Sequence, residues 1–91
     1  MNETPVRMED TIREKLEKHL NPSVLEIVNQ SHLHAGHAGD NGTGESHFRI
    51  KVVSSVFAGM SRIEAQRLIY GILSDELKNG IHALSINALA D

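Results

Sequence analysis

The chain has no cysteine among its 91 residues. That removes disulfides, catalytic thiols and every metal site built from thiolates alone, so a metal must be held through His, Asp or Glu, or through groups supplied by another molecule. No run of about 18 apolar residues occurs, and the opening MNETPVRMEDTIREK lacks the apolar core of a signal peptide, so a cytoplasmic location is expected. HExxH is missing, no Glu fixed on a helix stands by as a general base, and no nucleophile–base triad has a signature, so no enzymatic activity is expected. Aromatic residues are as scarce: Phe48, Phe57 and Tyr70 are all there are. With Phe48 assigned to the core and Tyr70 to packing with its hydroxyl at the surface, a platform for stacked bases is poorly supported.

What remains is an ordinary globular composition, 40% apolar and 23% charged, enough for one domain with a modest core. The net charge of −3 is unevenly placed: residues 1–45 hold four Lys/Arg against eight Asp/Glu, and residues 46–82 hold five against three. The second half is locally basic, too weakly to establish a nucleic-acid surface.

Apolar residues recur at Met8, Ile12, Leu16 and Leu20, one stripe of an amphipathic helix that Asn21-Pro22 stops. Thr11 and Glu14 have capping-box spacing at its start, and Thr4-Pro5 offers an earlier one. Val24 to Gln30 is β-branched and reads as a strand. The segment from Ser31 to about Glu45 carries Gly36, Gly39, Gly42 and Gly44 and no apolar period, so a flexible His/Gly-rich loop is expected there, and fraying over residues 1–7.

The stretch SHFRIKVVS alternates, with Phe48, Ile50 and Val52 on one face and His47, Arg49 and Lys51 on a wet one. After the Val56-Phe57-Ala58-Gly59 turn, Ser61 and Glu64 have the spacing of a second capping box, opening one long helix to Asn79-Gly80 with Ala65, Leu68, Ile69, Ile72, Leu73 and Leu77 toward a core. Gly71 weakens its interior. Ile81 to Ala88 reads as a third strand with His82, Leu84, Ile86 and Ala88 on one face. A strand, long helix and strand in succession make a crossover, so the last two strands are expected to be parallel. The short element, the Gly59 turn and the long helix also have the order of a helix-turn-helix.

The run ESHFRIKVVSSVFAGMSRIEAQRLIYGILSDELKNGIHALSI resembles the BolA family, whose pattern is a Ser/Thr-His-Phe strand, an F-x-G-x-S/R turn, a long Arg-containing helix with a DEL-like end, and Ile/Val-His-Ala-Leu. The likeness runs from Met8 to Ala88, with several short motifs in the correct order and spacing. One departure is Ala65-Gln66-Arg67, where the family helix often reads R-H-R. The resemblance implies an α+β fold of class II KH type, αββ(α)αβ, in which helices cover one face of a three-stranded mixed sheet. Gly59-Met60-Ser61-Arg62 lacks the second glycine of the KH G-x-x-G grip, so RNA binding by that route is not expected.

Two functions follow from the resemblance. The first is binding of a monothiol glutaredoxin through a shared 2Fe-2S cluster, with sulfur from the glutaredoxin cysteine and glutathione, and no cofactor in the isolated chain, which is expected to be monomeric. His82 and one residue of the loop between the first two strands would be this chain's ligands. His34 is preferred there, with His32 and His37 as substitutes, and His47 is a third conceivable ligand or an orienting group. The competing reading of His82 is a core-facing strand histidine bonded to backbone, since it shares the parity of Leu84 and Ile86. For the loop the rival is adventitious zinc on His32-x-His34-x-x-His37. The second function is transcriptional or stress-response regulation by DNA contact, with Arg49, Lys51, Arg62 and Arg67 on phosphates. Against it stands a solvated charged face, on which Lys78 merely complements a helix C-terminus.

Overall fold

A computed structural model describes residues 7–30 and 46–91. The expectations placed on residues 1–6 and 31–45, including those for His32, His34 and His37, lie outside these residues. The elements are α1 (Met8–Leu20), β1 (Val24–Asn29), β2 (His47–Val53), a 3-10 turn (Ser55–Phe57), α2 (Arg62–Ile72), α3 (Ser74–Asn79) and β3 (Ala83–Leu89).

In α1 the apolar stripe does what its spacing dictates: Ile12, Leu16 and Leu20 are buried, and Met8 packs at the margin. The helix begins a turn before the Thr11–Glu14 box. Arg7 is its N-cap without a side-chain bond, and Thr11, already helical, donates from Oγ1 to Arg7 O at 3.4 Å. Glu9 and Asp10 in the first turn complement the helix dipole, which favours the earlier start. The helix ends as expected, with Asn21 left-handed at φ 42° and donating its N–H to Glu17 O; Asn tolerates that conformation, and Pro22 cannot continue a helix.

The three strands form one sheet in the order β1-β2-β3. β1 pairs antiparallel with β2, and β2 pairs parallel with β3. Phe48, Ile50 and Val52 point inward from the central strand and meet Ile12 and Leu16 of α1 and Ala65 and Ile69 of α2 in one core. Arg49 and Lys51 point the other way and are exposed. The period-two reading of β2 therefore holds from Phe48 onward, and the crossover expectation of parallel strands holds as well.

The helix-turn-helix order is present with a first arm reduced to the 3-10 turn, and Gly59 supplies the turn at φ 79°. Ser61 closes the expected capping box on Glu64, with bonds in both directions. The long helix is two helices. Leu73, at φ −100° and ψ 18°, breaks it between α2 and α3. Ser74, Asp75 and Glu76 favour a new helix start there, since acidic side chains suit a first turn. The break lets α3 reach back to α1: Lys15 Nζ donates to both carboxylate oxygens of Glu76 at 2.8 Å. Gly80 and Ile81 both donate to Glu76 O, and Ile81 drops into the core as the chain turns toward β3.

Candidate functional site

The strand ends nearest the segment 31–45 bring chemistry together. Gln30 donates its N–H to His47 O at 2.8 Å, so the chain leaves β1 and re-enters at Ser46 at the same end of the sheet. Because β3 runs parallel to β2, with Ala83 opposite His47, His82 arrives at that end too. The His47 and His82 rings lie with centroids 5.6 Å apart and planes tilted by 48°. They line a shallow depression of about 400 Å³ with Gln30, Phe48, Ala83 and Ser85 among its walls.

Alternation alone puts these two histidines on opposite faces, and both assignments change. His47, expected on the wet face with Arg49 and Lys51, is only 6% exposed. Its ring lies against His82, and its Nδ1 shares a 2.8 Å hydrogen bond with Ser46 Oγ. His82, which has the parity of the core residues Leu84 and Ile86, is exposed. Ile81 takes the core position in its stead, and His82 precedes the ladder, held by its main chain to Ser46 O at 2.7 Å. The competing reading of a core histidine therefore fails for His82. Ser46, a buried residue that hydropathy patterning did not single out, bonds to both histidines.

Neutral imidazoles offer one lone-pair nitrogen each, and an exposed ring is free to present it outward. Among the described residues, no three His, Asp or Glu side chains converge as a metal site.

The basic residues of the alternative reading do not form one surface. Arg49 and Lys51 stand on the open sheet face beside Glu26, Val28 and Asn87. Arg62 and Arg67 are exposed on α2, which packs on the other face through Ala65 and Ile69. The sheet lies between the two pairs. Gln66 is half-buried, and Arg62 borders a groove of about 470 Å³ between α2 and β3, away from the histidines. Tyr70 is 40% exposed, its hydroxyl 3.5 Å from Leu84 O.

A three-stranded mixed sheet with its helices on one side and imidazoles gathered at the strand ends defines a small α+β domain, and no helix among the described residues is long and apolar enough to cross a membrane. The chain belongs to the BolA-like protein family, whose model matches residues 16–91. It is 53% identical over 81 residues to SufE-like protein 1, chloroplastic/mitochondrial, of Arabidopsis thaliana, an alignment covering 85% of this chain and 22% of that protein. To BolA-like protein 1 of Bos taurus it is 49% identical over 81 residues, 89% of this chain and 57% of the other. This chain thus matches only part of both relatives. Among solved structures, BolA1 from Arabidopsis thaliana superposes with a TM-score of 0.85 at 43% identity, covering 96% of this chain and 95% of that one.

Proposed function

We propose that this chain is a non-enzymatic adaptor in iron-sulfur handling that binds a monothiol glutaredoxin and helps ligate a 2Fe-2S cluster shared with it. The observation that carries the reading is the exposed His82 ring beside His47, at the sheet end where the segment containing His32, His34 and His37 leaves and returns. A 2Fe-2S cluster takes four ligands, and two imidazoles can replace two thiolates on one iron. With no cysteine in the sequence, this chain can offer only imidazole or carboxylate, and sulfur is left to the glutaredoxin cysteine and glutathione. His82 is the first ligand of this reading and His34 the second, with His32 and His37 as substitutes and His47 as ligand or orienting group. The name SufE-like protein 1 supports a role near iron-sulfur assembly, carried over only for the part this chain matches. A cytoplasmic location belongs to the same proposal.

The test mixes the purified chain with a cluster-loaded monothiol glutaredoxin and records visible circular dichroism for wild type, His82→Ala and His34→Ala. The expected result is a cluster spectrum altered by wild type and unaltered by His82→Ala, with the His34→Ala trace reporting on the second ligand. An unaltered spectrum with wild type, together with separate elution of the two proteins, overturns the reading and leaves DNA contact as its rival.

A further inference from the structure

Ser46 lies one residue before β2 and is fully buried. Its two oxygens serve two histidines. The hydroxyl meets His47 Nδ1 at 2.8 Å, and the carbonyl oxygen accepts the N–H of His82 at 2.7 Å and that of Ala83 at 3.2 Å. We propose that Ser46 is a positioning residue for this histidine pair, an inference that rests on the cluster-binding reading above.

The two anchors act on different parts. The main-chain bonds fix where β3 begins, and hence where the Cα of His82 stands against β2. The hydroxyl acts on the other ring. An imidazole torsion about Cβ–Cγ is broad and roughly two-fold, so backbone placement alone leaves the ring two orientations that exchange the positions of nitrogen and carbon. A hydroxyl 2.8 Å from Nδ1 selects the orientation that turns this nitrogen, and not a ring carbon, toward it. The ring so fixed is the one that lies 5.6 Å from His82. Ser46 thus sets both the spacing of the pair, through its carbonyl, and the orientation of its buried member, through its side chain.

The separation makes the proposal testable, because Ser46→Ala deletes the hydroxyl and leaves the carbonyl anchors in place. In the free chain, the nuclear Overhauser contacts of the His47 ring protons are expected to report one ring orientation in wild type and two in Ser46→Ala, with the amide spectrum away from the site unchanged. Ser46→Thr, which keeps the oxygen, is expected to restore the wild-type pattern. In the titration of cluster-loaded glutaredoxin, the midpoint of Ser46→Ala is expected to rise about ten-fold, the scale on which partners behind a ligand act. Combining Ser46→Ala with His47→Ala is expected to cost no more than His47→Ala alone, since the two act as one unit.

A single His47 ring orientation that survives Ser46→Ala overturns the proposal. So does a Ser46→Ala chain that melts earlier and yet titrates glutaredoxin with the wild-type midpoint well below its melting temperature, because the hydroxyl then serves stability alone. If wild type itself leaves the cluster spectrum unaltered, the cluster reading falls, and the ring-orientation measurement in the free chain still decides whether Ser46 orients His47.

Discussion

The Ser54 hydroxyl donates to Leu20 O at 2.5 Å and accepts the Val56 N–H at 3.2 Å, so one buried side chain ties the end of α1 to the turn that follows β2. Leu20 is the last residue of its helix, and the carbonyls of a last turn have no intrahelical partner. Ser54→Ala leaves both main-chain groups short of a bond, and at the buried Leu20 O an unsatisfied group costs about 1–3 kcal/mol. The expected result is a lowered denaturant midpoint with an unchanged m-value. An unshifted midpoint would mean that water replaces the hydroxyl.

Ile50 sits fully buried at the middle of the central strand, opposite Ile27 on one side and Ile86 on the other. Truncation to alanine removes contacts with neighbours on two strands and with the helices above them. A loss of about 2–5 kcal/mol is expected, a large share of the roughly 5–15 kcal/mol that holds a domain together. Urea unfolding followed by circular dichroism measures it, and a loss comparable to a surface substitution would contradict the packing described.

The Ser61–Glu64 capping box predicts an acid dependence. The hydrogen bond from the Ser61 main chain, and then that with its side chain, hold the Glu64 carboxyl below its usual 4.5. A depressed carboxylate contributes stability above its unfolded value and loses it as pH falls through the folded one. Wild type is therefore expected to weaken on acidification through and below the usual carboxylate range more steeply than Glu64→Gln. Ser61→Ala at neutral pH is expected to cost about 1 kcal/mol, the scale of a lost N-cap. Equal acid slopes for wild type and Glu64→Gln in parallel melts would refute the linkage.

The division of basic residues between two faces predicts weak contact with duplex DNA. Phosphate binding gains from cations gathered on one surface, and the chain's net charge is −3. Mobility shifts at low salt are expected to show no saturable complex, and Arg62→Ala, Arg67→Ala, Arg49→Ala and Lys51→Ala are expected to change little. A saturable, salt-sensitive complex abolished by Arg62→Ala or Arg67→Ala would revive the regulator reading.

Period and punctuation made much of this architecture legible. Phe48, Ile50 and Val52 are buried because a strand with one wet face must alternate, and Ser61 and Asn21 mark helix ends because their side chains and dihedrals suit those positions. The break at Leu73 was hidden because Ile69, Leu73 and Leu77 keep helical spacing straight across it. Parity failed where a strand begins. His82 is one residue outside the ladder, so the rule that holds from Leu84 onward does not govern it. His47 is buried beside the ring of a residue just ahead of another strand and a hydroxyl from its own neighbour, and neither leaves a periodic trace. His34 and its neighbours remain a sequence-based assignment, since they lie outside the described residues.

Among the described residues, β2 has a hydrogen-bonded strand on either side, whereas β3 has one neighbouring strand. Amides of a doubly paired central strand exchange with solvent only when the whole domain opens, and those at an edge open at lower free energy. His47 is rooted in the slow-opening strand and His82 at the start of the fast one. If the proposed partner docks at this end of the sheet, it meets one imidazole rooted in the strand that opens last and another beside an edge that opens at lower free energy.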